Sequence, residues 1–283
     1  MNTTQALPLF LQSGKLKALN QMAFSRLKAP LFFVAPEPAR PHAAAASGRL
    51  YEISTGLYAV YHDYGMRQLE TFLDYCGSRL GDIHWDKQKM LRHIENVEII
   101  RTGICHGLLP DSPDTVAFVR RLGRCLNAKQ DDMVWPSYPA GLSEDDCEKI
   151  IKELTSAADD GYRFLETLIA RISQNTTLTE GFRRELVDKA FNSTAPGYSK
   201  KTSYFDQRVV AALTKNKRSN TVIIEDVLQT WLKSIKDGLL KGTMANEFEP
   251  YDCLKSAIED AYLPTTSSGR ANSGSLLGPD LTI

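Results

Sequence analysis

Residues 143–173, SEDDCEKIIKELTSAADDGYRFLETLIARIS, decide the fold class. Ile151, Leu154, Ala158, Leu165, Leu168 and Ile172 recur at steps of three, four and seven, which places them on one stripe of an α-helix. Ser143 followed three residues later by Asp146 has the form of a capping box, so the helix is expected to start there and run about eight turns. Few segments alternate as a strand would, and the same helical period extends outward in both directions.

Toward the N-terminus, Leu50, Ile53, Leu57, Val60 and Tyr64 form one stripe, and Leu69, Phe72, Cys76 and Leu80 continue it after Gly65. A second helix is expected over roughly Trp85–Leu109. Ser112-Pro113-Asp114 opens a third, with a cap candidate, proline at the first helical position and an acid in the first turn. Residues 128–142, rich in Pro, Gly and Asp, read as a domain break. Beyond the long helix, shorter ones are expected near 179–192, 204–215, 222–241 and from Pro250 to about Tyr262. The expected fold is therefore all-α: a helical bundle over 50–127 followed by a second helical domain over 143–262.

Residues 1–49 hold one acid, Glu37, against six basic residues, and Pro36–Ser47 reads as a proline-interrupted linker. This segment is expected to be an arm that packs on the body or on a partner, with Leu9, Leu16, Leu19 and Met22 as its apolar set. Residues 263–283, rich in Ser, Thr and Gly, read as a disordered tail. Across the 283 residues, 34 Lys and Arg balance 34 Asp and Glu, which argues against coating nucleic acid by bulk charge. No apolar run approaches the ~18 residues of a membrane span. The five cysteines are scattered and include no Cys-x-x-Cys pair, so neither a zinc site nor a disulfide framework is expected; a cytoplasmic setting fits.

One position breaks the pattern. The stripe of the second helix runs Met90, Ile94, Val97, then Arg101, Ile104 and Leu108. A guanidinium on a buried stripe costs several kcal/mol, on the order of a buried unpaired charge, unless something satisfies it. His106 follows five residues later, about 140° around the helix, just before Gly107 and Pro110. Glu98 stands three residues before Arg101 and could pair with it.

The string Ile94–Gly107, IENVEIIRTGICHG, resembles the signature of the HEPN superfamily, in which an arginine late in a helix is separated by four to six residues from a histidine. The resemblance spans about residues 50–127. It implies a metal-independent endoribonuclease of the kind found in toxin–antitoxin and anti-phage defence systems, with Arg101 and His106 as the catalytic pair. Glu98 and Thr102 would support them, no cofactor or metal would be needed, and two motifs would meet at a homodimer cleft. An antitoxin or sensor protein would be a natural partner. Thr102 stands where the family often has Asn, Asp or His, and Leu108 where one subgroup has Tyr.

Three other readings arise from the residues. His62-Asp63 is the adjacent pair seen in HD metal phosphohydrolases, although further ligands are not evident. Residues 198–218 carry six basic residues and one acid among aromatics, which makes Lys200, Lys201, Tyr204 and Arg208 candidates for binding RNA. A non-catalytic helical module that binds a nucleotide, RNA or a protein would also account for Arg101 and His106.

Overall fold

The cap expected at Ser143 is made: the Asp146 amide donates to the Ser143 hydroxyl at 3.1 Å, and that hydroxyl donates to the Asp146 carboxylate at 2.7 Å. The second bond holds the Asp146 carboxyl below the usual carboxylate range. The structure is a computed structural model that describes residues 7–32, 43–64, 66–105, 142–190, 233 and 236–244. Among the described residues every regular element is helical. The elements are α1 (Lys15–Leu27), α2 (Ala46–Tyr58), α3 (Met66–Arg79), α4 (His84–Cys105), α5 (Glu144–Ser173) and α6 (Thr176–Ala190). Short 3-10 turns occupy Leu9–Leu11 and Gly81–Ile83, and a π turn over Ala59–Tyr64 extends α2.

The long helix α5 is the centre. It packs against α1, α2, α4, α6 and the turn at Leu9–Leu11, while α3 packs on α6. Its buried face runs from Cys147 and Ile150 through Leu154, Ala158 and Leu165 to Ile172. Residues 7–32 pack on the body, one of the two places expected for this segment, and are part of its core. Phe10 is fully buried, edge-on to Tyr61 at 5.3 Å and to Tyr162 at 5.2 Å. The Leu9 amide donates to Asp159 at 2.7 Å, and the Tyr162 hydroxyl donates to the Lys15 carbonyl at 2.9 Å. The buried face of α1 is Leu16, Leu19, Asn20, Ala23, Phe24 and Leu27, with Met22 only half-buried. After α1 the chain reverses through Lys28 at a φ of 55°, and the buried Asn20 amide clamps the return. Asn20 accepts from the Leu31 and Phe32 amides at 2.9 and 3.0 Å and donates to the Phe32 carbonyl at 2.9 Å. Three backbone groups that helix and sheet would leave unpaired are thereby satisfied.

Contacts from the far side of the sequence complete the unit. The Glu144 carboxylate accepts from the Ala46 amide at 2.7 Å and so supplies the cap that the start of α2 lacks. Arg49 pairs with Glu148. Arg171 grips Asp82 through two bonds of 3.0 and 2.9 Å, fastening the Gly81–Ile83 turn to α5 and lowering the Asp82 carboxyl. Tyr75 donates to the Leu178 carbonyl at 2.8 Å, an approach that Gly181 permits, since a Cβ there would lie 2.4 Å from the tyrosine oxygen.

The chain forms two compact units, Met1–Ala190 and Phe191–Ile283. The break expected at 128–142 lies, apart from Leu142, outside the described residues, and helices on both sides of it pack together in the first unit. The helix expected from Ser112, the C-terminal helix near 250–262 and the expected tail at 263–283 also lie outside. In the unit Phe191–Ile283, residues 236–241 form a helix that ends at Gly242 with a φ of 65°. The Thr243 amide closes the turn on the Gly238 carbonyl at 3.0 Å.

Two tests follow from this core. Phe10→Ala should cost about 3–5 kcal/mol in urea unfolding, the loss typical of a buried aromatic. His93, buried on α4 with its Nε2 3.1 Å from the Tyr61 hydroxyl, is pushed down to about 4 by burial. Above pH 6.5 both folded and unfolded chains hold it neutral; between 6.5 and 4 only the unfolded chain takes up its proton. Stability should fall with pH across that window by about 3 kcal/mol in total, and His93→Leu should flatten the slope by one proton.

Candidate functional site

Arg101 reaches its place because of how α4 is turned. The buried face of α4 is Met90, His93, Val97 and Ile100, with Ile94 and Arg101 half-buried on its shoulder. The stripe expected from sequence was displaced by about one residue, because it credited Ile94 and passed over His93. Histidine fits the core here because its ring lies edge-on to Tyr61 at 5.5 Å and is hydrogen-bonded to it. Burial, with the Asp159 charge adding to it, raises the Tyr61 hydroxyl well above its ordinary value. The tyrosine thus keeps its proton. The spacing 90, 93, 97, 100 was available as a signal, and only the polar label on position 93 hid it.

On the shoulder, the Arg101 guanidinium lies over the Tyr58 ring at 4.6 Å. The Tyr58 ring is in turn stacked on the His62 imidazole, 4.4 Å between centroids and 19° between planes. Tyr58 closes α2 and His62 lies in the π turn that follows, one helical step on, so both present rings to the same flank. The π turn widens the helix by one residue, which lets Val60 and Tyr61 enter the core while His62 stays half-buried beside Tyr58. A cation, a phenol ring and an imidazole are therefore gathered where α2 and α4 pack. Stacking orients the guanidinium plane and restricts its rotamers, a preparation suited to holding a phosphate.

Of the residues expected to act with Arg101, Glu98 is exposed on α4 and Thr102 is half-buried beside it. His106 lies outside the described residues, as do Lys200, Lys201, Tyr204 and Arg208. Tyr58 and the stacking of His62 were not foreseen, although their four-residue spacing was visible. Among the described residues no group of three or more His, Cys, Asp or Glu is placed to hold a metal ion. None of their helices is long and apolar enough to cross a membrane. Comparison of the chain with protein-family models, curated proteins and solved structures finds no match.

The stack has a measurable strength. A double-mutant cycle of Tyr58→Leu and Arg101→Met should give a coupling of about 0.5–2 kcal/mol in unfolding free energy. A coupling near zero would mean that Tyr58 does not hold the guanidinium.

Proposed function

We propose that the chain is a metal-independent endoribonuclease of HEPN type, acting in a toxin or anti-phage defence setting. The observation that carries the reading is the placement of Arg101: half-buried on the shoulder of α4, with its guanidinium over Tyr58 and the His62 imidazole behind that ring. A pre-oriented guanidinium can hold an RNA phosphate and neutralise the charge that grows as the 2′-hydroxyl attacks it. The attack forms the bond from the 2′-oxygen to phosphorus and breaks the bond to the 5′-oxygen. One proton leaves the 2′-hydroxyl and one is delivered to the departing 5′-oxygen, giving a 2′,3′-cyclic phosphate and a free 5′-hydroxyl. His106 is assigned to proton transfer, and pairing of two chains would bring a second histidine to the cleft. The same stack favours one other reading, a module that holds a nucleotide without cutting it, because an arginine packed on an aromatic ring is also a platform for a base.

The deciding experiment incubates labelled single-stranded RNA with the purified full chain in EDTA. Wild type should cleave and leave 2′,3′-cyclic phosphate ends, and His106→Ala and Arg101→Ala should each lose about 100-fold or more of the rate. His106→Ala should unfold at nearly the wild-type temperature. Binding without cleavage would favour the nucleotide-holding module, and cleavage that needs a divalent cation would shift the chemistry to His62 and Asp63.

A further inference from the structure

Tyr51 is 46% exposed on α2, one of two exposed aromatic side chains among the described residues; Trp85, at 63%, is the other. No described residue hydrogen-bonds to the Tyr51 side chain or stacks on its ring. Tyr51, Tyr58 and His62 are spaced seven and four apart, so their side chains leave the helix on one face. The contacts of α2 with the acids of α5 lie elsewhere. Glu148 pairs with Arg49, which stands two residues before Tyr51 and so about 160° away around the axis.

The direction of the two helices sets what Tyr51 stands beside. Tyr61 meets His93 at 5.5 Å, and Tyr58, earlier on α2, meets Arg101, later on α4, so the helices run antiparallel. Moving back along α2 from Tyr58 to Tyr51, about 10.5 Å, therefore leads from Arg101 toward the end of α4 at Cys105. Glu98, the exposed acid of this flank, lies one turn from Arg101 in the other direction. The ring of Tyr58 is committed to Arg101 and His62, whereas that of Tyr51, on the same face, is open. The other flank of α4 lacks such an ordering. Its groove of about 740 Å³ against α5 is rimmed by Arg92, Arg163 and Arg171 with Asp82, Asp86 and Asp160 among them, a mixed charge that selects no ligand.

We infer that Tyr51 is a base-stacking subsite of the centre at Arg101 and restricts its substrate to single-stranded RNA; the inference rests on the endoribonuclease reading above. With a phosphate held by the Arg101 guanidinium, a neighbouring unpaired base of the same strand lies on the Tyr51 ring. Aromatic stacking accepts any base, so Tyr51 discriminates unpaired from paired strands and not one sequence from another. In a duplex the bases are paired and stacked on one another, and an A-form helix offers side chains its backbone and shallow groove but no base face.

The test measures cleavage in EDTA by the full chain of a single-stranded RNA and of the same strand annealed to its complement. Anisotropy follows binding of a 2′-O-methyl version of the strand, which attack by the 2′-oxygen cannot consume. Wild type should cleave the single strand and leave the duplex nearly intact. Tyr51→Ala should raise KM for the single strand and weaken its binding roughly tenfold, with kcat near wild type, and Tyr51→Phe should restore most of both. A 2′-O-methyl strand made abasic throughout should bind wild type and Tyr51→Ala alike. Trp85→Ala removes an exposed aromatic about 160° from Arg101 around α4 and should behave as wild type. Both side chains are on the surface, so circular dichroism should be unchanged. Wild-type KM and affinity in Tyr51→Ala, an equal loss in Trp85→Ala, a fall in kcat alone, or equal cleavage of the duplex by wild type would each overturn the subsite and leave the nuclease standing. Binding of the strand that depends on Tyr51, without cleavage, would count against the nuclease and support the subsite. Neither cleavage nor binding by wild type would overturn both.

Discussion

The unit Met1–Ala190 depends on burial of one face of α5. That face runs nearly the whole of a 30-residue helix, and elements from residue 9 to residue 190 are laid against it. Apolar burial carries no direction of its own, so the arrangement needs polar contacts to fix the register. Asp159 and Tyr162 reach the N-terminal segment, Glu144 and Glu148 reach α2, and Arg171 reaches the turn before α4. The polar ties are spaced along α5 from its first turn to its last. Each fixes a different neighbour at a different height, so sliding one helix along another would break a specific bond and not merely rub one apolar surface over another.

Much of this was legible. The period of α5 and its cap at Ser143 were read at the right residues, and the stripe of Leu50, Ile53, Leu57 and Val60 is buried as expected. The N-terminal segment packs on the body as expected, with Leu16 and Leu19 buried, but its decisive contacts, from Phe10 and Leu11 with Asn20, Tyr61 and Tyr162, were not among those read from its composition. A clamp such as Asn20, whose partners lie eleven and twelve residues away, leaves no periodic trace. The π turn likewise shifts a helical face by one residue without any residue type that announces it. Proline and glycine, as at 128–142, mark where helices stop, which is a local property, while a compact unit is defined by what its faces meet.

The site was partly legible for a related reason. Arg101 attracted notice as a charge among apolar residues, and its half-buried position bears out the oddness while relocating it to the edge of the stripe. Its aromatic neighbour Tyr58 was invisible from α4, since the contact joins residues 43 apart in sequence. The two flanks of α4 thus differ in what they meet. One faces α2, where the cation lies against a phenol ring; the other faces α5 across a groove rimmed with arginine. A helix whose core residues occupy only one narrow strip, Met90, His93, Val97 and Ile100, leaves both of its shoulders to other contacts.

The path of the chain has a consequence for biosynthesis. Phe10, Leu11, Leu16 and Leu19 are covered by α5, whose last turn is made more than 150 residues later. At about 5–20 residues per second a ribosome needs on the order of ten seconds to travel that distance. Throughout that interval the nascent N-terminal segment displays its aromatic and leucine side chains without the surface meant to receive them. The protein cannot complete its core as it emerges, and its first helix is therefore a stretch for which a trigger-type chaperone, or a transient non-native contact, would compete with the native one.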